Sequence, residues 1–243
     1  PAHIPSLKTC PGSLDLNGMV EKLQISDSPL ILVGDGVAWS GGVEKVVELA
    51  EMIGARVYSA DGGEINFPDD HPLNYGSTGH MFGDHSLPII QSCDVCVALG
   101  CYLLPEVFPH LGEIFNPKAT VIHIDTNVNN IGKNHRVDIS YVAEPQAVIE
   151  GILPLLEALP ENWHQTVQSR RVKLEVESPT LNNNIDEDYH VEPPYPSIEY
   201  DGIAKSMRSG YFIKKLSEKI PANTIIFDEA LTNSPPVNKF LPG

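Results

Sequence analysis

Basic charge is scarce in this sequence: 16 Lys and Arg stand against 32 Asp and Glu over 243 residues, a formal net charge of −16. Such a surface repels nucleic acid and anionic membranes, and no local Lys/Arg cluster offsets it, so neither is expected as a partner. Cysteine is sparse too. Cys10, Cys93, Cys96 and Cys101 are too few and too unevenly placed for a disulfide framework, which points to a reducing, cytoplasmic setting. No apolar run approaches the roughly 20 residues that span a bilayer. The opening Pro1-Ala2-His3-Ile4-Pro5 has neither the basic nor the apolar region of a secretory signal, and the missing initiator Met fits a piece of a longer polypeptide.

Several chemical signatures are incomplete. Gly34-Asp35-Gly36 follows an apolar run, but a dinucleotide fingerprint needs a third glycine where Trp39 stands. A tight strand-to-helix turn still presents N–H groups suited to phosphate, so Gly34 and Gly36 are candidates for a nucleotide pocket. Cys93-x-x-Cys96 has redox or zinc spacing without a second ligand pair or a helix N-terminus. On a strand, positions i and i+3 face opposite ways, so these are expected to be packing thiols. His71, His80, His85 and His110 show no metal-ligand spacing, and no Ser-His-Asp or Cys-His arrangement can be assembled. The glycine-rich run Gly76-Ser77-Thr78-Gly79-His80-Met81-Phe82-Gly83 reads as a loop after a strand and before a helix, a position where parallel sheets bind ligands.

What is present is a regular alternation. Leu30-Ile31-Leu32-Val33 is a continuous apolar run, as for a strand buried on both faces. Val43, Val46, Val47, Ala50 and Ile53 then fall on one helical stripe closed by Gly54. Arg56–Ala60, Asp94–Leu99 and Ala119–Ile124 read as further strands, Asp138–Val142 as a short edge strand, and Gln146–Leu159 as a helix irregular at Pro154. Strands alternating with crossover helices predict an α/β fold with a Rossmann-like, doubly wound parallel sheet.

The expected organisation is a lead-in over 1–27, a central domain over 28–160, and a helix and Pro-rich linker over 161–207. The first βα element of a second α/β domain follows over 208–243. Trp163–Glu177 is polar enough to read as a solvent-facing helix, and Ser178–Tyr200 is rich in proline. Tyr211–Ile220 has helical spacing and Thr224–Asp228 reads as a strand. A lone βα start cannot bury its own faces, so the polypeptide is expected to continue.

Four stretches carry a family resemblance in order. They are Ser28–Gly42 with the helix VELAEMIGARV, Asn66-Phe67-Pro68-Asp69-Asp70-His71-Pro72 to Gly76, Cys93–Gly100, and His123-Ile124-Asp125-Thr126-Asn127 to Ile131-Gly132-Lys133-Asn134. In this order they resemble the central domain of the acetolactate synthase and benzoylformate decarboxylase superfamily, which uses thiamine diphosphate and Mg²⁺. Ile225–Ser234 is similar to the opening of that family's pyrophosphate domain. By that resemblance Glu229, Ala230, Leu231 and Thr232 lie on the diphosphate side of the cofactor. Gly34, Gly36, Gly79, Asp125 and Ile131 would line any nucleotide pocket.

The resemblance also marks departures. Nothing before Ser28 matches the family's pyrimidine domain with its activating glutamate, and the Mg²⁺-binding Gly-Asp-Gly of the pyrophosphate domain would lie beyond Gly243. Gly34-Asp35-Gly36 is a decoy for that motif, since Asp61 and Asn66 do not reproduce the asparagine pair that accompanies it. No catalytic or metal residue is therefore expected here, and the chain alone is expected to be inactive. Gly100-Cys101-Tyr102-Leu103-Leu104 contains no Arg after the strand's glycine, where the resemblance implies one for flavin, which speaks against FAD.

The resemblance implies a lyase or transferase acting on a small 2-oxo acid, a decarboxylase or carboligase assembled as a homodimer or homotetramer. The pyrimidine and pyrophosphate domains would be its partners. The competing reading is a non-catalytic module binding FAD, ADP or CoA, or a purely structural scaffold. A sirtuin-like NAD-binding protein would share the sheet but needs a zinc module that the cysteine spacing does not supply.

Overall fold

A computed structural model describes residues 8–79, 83–104, 106–178, 209–221, 223–229, 237 and 240–241. The chain divides into two compact units, residues 1–182 and 183–243.

The first unit is built on one all-parallel sheet of six strands in the order β3-β2-β1-β4-β5-β6. The strands are β1 (Pro29–Gly34), β2 (Arg56–Asp61), β3 (Asn74–Ser77), β4 (Val95–Leu99), β5 (Thr120–Asp125) and β6 (Ile139–Val142). Every residue of β1 and β4 is buried, so their apolar runs are continuous, whereas edge strand β6 alternates between half-buried and exposed.

One face of the sheet presents Ile31, Val33, Val57, Val97, Leu99, Ile122 and Ile124 to a large apolar core. Helices α1 (Ser13–Gln24), α3 (Val43–Ile53) and α5 (Pro145–Glu157) cover that face, α1 and α3 each packing on α5. The segment read as a lead-in thus contributes Leu16, Met19, Val20 and Leu23 to the same core. Gly54, at φ 58°, ends α3 in the left-handed conformation that its missing Cβ permits.

Helix α6 (Glu161–Glu177) corrects the expectation of a merely solvent-facing helix. It buries Trp163 and Val167, and Arg170 reaches back to the carbonyls of Gly54 (3.1 Å), Ser26 (2.8 Å) and Ile53 (2.5 Å). Three carbonyls left open at the end of α3 and before β1 are satisfied by one guanidinium fork.

The opposite face presents Leu30, Leu32, Ala60, Cys96, Ala98 and Val121 to a smaller core. It is covered by α4 (Gly83–Gln91) and by two long crossovers, residues 100–119 and 126–138, whose described residues form no helix. Parallel connections usually carry a helix, so two without one on the same face are unusual. Cys93 precedes β4 and packs in this same cluster with Cys96 and Cys101. The expectation that Cys93 and Cys96 face opposite ways fails because period-2 geometry holds only within the strand.

In the second unit, α7 (Ser209–Ser217) covers most of the helix expected over Tyr211–Ile220. The strand expected over Thr224–Asp228 does not form: these residues are irregular, with Ile225 and Phe227 79% and 94% exposed. A strand exists only when a neighbour completes its ladder, and none pairs with it among the described residues. The proline-rich linker, apart from Ser178, lies outside the described residues.

Candidate functional site at the carboxyl edge of the sheet

The strand order reverses between β1 and β4, and in such sheets ligands bind in the crevice beyond the carboxyl ends of those two strands. Here the turns that follow β1 and β4 are joined backbone to backbone. Gly36 N–H donates to the Gly100 carbonyl at 2.9 Å, and Gly100 N–H donates to the Ile124 carbonyl at 2.8 Å. A Cβ on Gly36 would stand 2.6 Å from Gly100 Cα, and Gly100 itself holds φ +56°. Both positions need glycine because two turns meet backbone to backbone.

The short helix α2 (Gly36–Trp39) sits directly on this contact. Asp35 accepts N–H donors from Gly63, Glu64 and the Asn66 side chain, each at 3.0 Å. Asn66 Oδ1 accepts the Ala38 N–H at 3.2 Å. Burial pushes the Asp35 carboxyl up, yet the three donors outweigh it and hold the group below the ordinary carboxylate range. A carboxylate ringed by N–H donors is oriented to close a loop, and a cation would have to displace those donors. The N–H groups of Gly36 and Ala38, which would otherwise greet a phosphate, are engaged within the protein.

The remaining candidate residues are spread along the edge. Gly34 ends β1 opposite a register shift at Asp61. Asp125 ends β5 and is buried, accepting the Asn127 N–H at 2.6 Å and the Asn130 side chain at 3.1 Å. Ile131 lies half-buried in the loop that follows. Gly79 follows β3, two strands out from β1, and its N–H donates to Ser86 Oγ at 2.9 Å. Gly34 and Gly36 thus lie at the switch point, with Asp125 two strands away on β5 and Gly79 two strands away on the other side, after β3. Glu229 is exposed in the second unit, while Ala230, Leu231 and Thr232 lie outside the described residues.

The histidines and cysteines are structural in their contacts. His71 Nδ1 accepts the Leu73 N–H at 3.1 Å and its ring meets Phe67 edge-on. His110 bonds Asp84 at 2.8 Å, and His80 lies outside the described residues. His123 is fully buried, its Nε2 at 3.0 Å from the Cys101 carbonyl, and burial pulls its pKa down. The Cys96 thiol is held well up by its hydrogen bond with Cys93 and by complete burial, which suits a packing thiol rather than a nucleophile. Among the described residues no group of three or more His, Cys, Asp or Glu is arranged to hold a metal ion. No described helix is long and apolar enough to cross a membrane.

Two features escaped the sequence. Asn66 stood out only as half of a missing asparagine pair, yet it ties the β2 loop to α2. Ser86, which links Gly79 to Glu106 Oε1 at 2.6 Å, carries no sequence signal beyond its place in a helix after a glycine-rich loop. A groove of about 710 Å³ runs between α3, α5 and α6. Its Glu48 and Glu51 already face Lys45 and Arg171.

Comparison with known proteins gives a consistent picture. The family model described as thiamine pyrophosphate enzyme, central domain, matches residues 16–152. The curated protein of Methanocaldococcus jannaschii named "Probable acetolactate synthase large subunit" is 34% identical over 166 residues, 66% of this chain and 28% of that protein. Sulfoacetaldehyde acetyltransferase of Alcaligenes xylosoxydans is 26% identical over 226 residues, 88% of this chain and 37% of that protein. The crystal structure of benzoylformate decarboxylase from Polynucleobacter necessarius matches in fold with a TM-score of 0.72 at 18% identity, covering 99% of this chain and 40% of that one. The chain thus spans 28% and 37% of the length of these two curated relatives.

Proposed function

The chain belongs to the family of thiamine pyrophosphate enzyme central domains, and from that premise we propose that its whole polypeptide is a thiamine-diphosphate-dependent enzyme that decarboxylates or ligates a small 2-oxo acid. The observation that carries this is the family match over 16–152, a span running from α1 into α5 and containing the entire sheet. When bound, thiamine diphosphate supplies a carbanion that adds to a 2-oxo carbonyl and an electron sink for the bond that breaks.

In this reading the central domain is a frame. The packed Gly36–Gly100 contact and the engaged N–H groups of Gly36 and Ala38 support a switch point that holds no FAD or ADP. Residues 229–232 face the cofactor diphosphate, while Mg²⁺ and the remaining cofactor contacts fall to pyrimidine and pyrophosphate domains of the same polypeptide. The active assembly is a homodimer or homotetramer. The packing of α1 and α6 on the sheet layer supports drawing the central domain wider than 28–160, to include both helices.

The test is an assay of the complete polypeptide on pyruvate, benzoylformate and a wider 2-oxo acid panel, with and without thiamine diphosphate and Mg²⁺. Cofactor-dependent CO₂ release or carbon–carbon ligation is expected. Its absence across the panel overturns the proposal. The 243-residue chain alone is expected to turn over none of these substrates.

A further inference from the structure

On the sheet face covered by α4 and the two helix-free crossovers, four segments meet around one small polar cavity. Ser86 of α4 receives the Gly79 N–H at 2.9 Å and donates its hydroxyl to Glu106 Oε1 at 2.6 Å. Gly83 at the start of α4 donates to the Phe108 carbonyl at 2.9 Å, and Asp84 bonds His110 at 2.8 Å. The β4–β5 crossover is thereby pinned to α4. From the β5–β6 crossover, Asn134 donates to the Leu104 carbonyl at 3.3 Å, and the His135 ring meets Phe115 edge-on at 6.4 Å.

Between them lies a cavity of about 10 Å³ lined by Gly83, Ser86, Leu87, Glu106, His110, Ile114 and His135. The His135 Nε2 is buried and has no hydrogen-bond partner. Such an atom is costly unless a partner completes it. A cavity of this size matches a single water, and Glu106, Ser86 and His110 supply the polar partners that a buried water needs.

We propose that this cavity is a site for one bound water, which bridges His135 Nε2 to the Glu106 carboxylate and latches the two helix-free crossovers to α4, and that acid opens the latch by protonating His135. The charged groups acting on the ring are Glu106 and Glu113 of the β4–β5 crossover, His110 lines the same cavity and is bonded to Asp84 of α4, and Lys133 and Arg136 share the ring's own segment. Burial pulls the His135 pKa down, and Glu106 and Glu113 oppose that only in part. A histidine depressed in the folded state contributes stability present above its unfolded pKa and lost as pH falls through the folded value. Acid therefore works against the closed arrangement. This inference does not rest on the proposed cofactor chemistry, so the two fail separately.

The test is hydrogen exchange of the chain between pH 8 and pH 5, corrected for intrinsic rates, comparing residues 106–115 and 133–137 with α3 as internal control. In the wild type, protection of the two crossovers falls several-fold on acidification while α3 holds. His135→Phe, which fills the cavity with an apolar ring, removes that pH dependence. Should that variant fail to fold, His135→Gln, which cannot titrate but still bonds water, keeps wild-type protection across the range. An acid-dependent loss that persists in the folded variants overturns the proposal, and so does its absence in the wild type. A high-resolution crystal structure shows a water within hydrogen-bond reach of both His135 Nε2 and Glu106; a dry cavity is equally fatal.

Discussion

The two faces of the sheet are covered by different means. On one, α1, α3 and α5 lay apolar stripes across the strands, and α6 is stapled behind them by Arg170. On the other, α4 is the one helix among the described residues, and two crossovers are held by side chains: Asn134 on Leu104, Tyr102 on Asn134, Asn130 on Asp125, Glu106 on Ser86. Helix stripes bury area without direction, so they tolerate sequence change. A loop layer depends on particular polar partners, because each buried N–H or carbonyl must be satisfied individually. The first face is therefore expected to carry most of the stability, and the second the local opening.

Deletions of equal chemistry on the two faces break or sharpen this contrast. Leu49→Ala in α3, fully buried on the helical face, is expected to destabilise by about 4 kcal/mol in urea unfolding. Next comes the switch point: Gly100→Ala costs about 3 kcal/mol, since its Cβ would meet the Gly36 backbone and its φ is left-handed. Leu103→Ala on the loop face, also buried, costs only about 2 kcal/mol, because irregular chain collapses into the void more readily. Arg170→Met likewise costs about 2 kcal/mol, as it strips a donor from three carbonyls while keeping the stem.

The smallest expected effect is a pH effect. Burial raises the Asp94 carboxyl, but the Ser26 hydroxyl and the Asp27 and Ser28 N–H groups together hold it down. Asp35 is held down in the same way. Depressed carboxylates contribute stability above their unfolded pKa that is lost as pH falls through the folded one. Thermal unfolding below pH 4 should thus show a shallower acid decline in Asp94→Asn than in the wild type.

The legibility of the sequence follows the same division. The strands β1, β2, β4, β5 and β6 and the helices α3 and α5 could be read because apolar periodicity is local. The role of α6 could not: its apolar contacts are few, and Arg170, which looks like surface charge, is its anchor. Gly34-Asp35-Gly36 could be recognised as a turn, but whether it was open or filled depended on Gly100 and Asn66, brought to it by the sheet. The Thr224–Asp228 reading had sound local propensity and no partner strand among the described residues, the condition that propensity cannot supply.

The proposed framing role makes its sharpest prediction at the switch point. Calorimetric titration of the 243-residue chain with FAD and with ADP should show no saturable binding tighter than about 1 mM. Saturable micromolar binding of either nucleotide, weakened by Gly36→Ala, would contradict a crevice closed by Gly36 and Gly100.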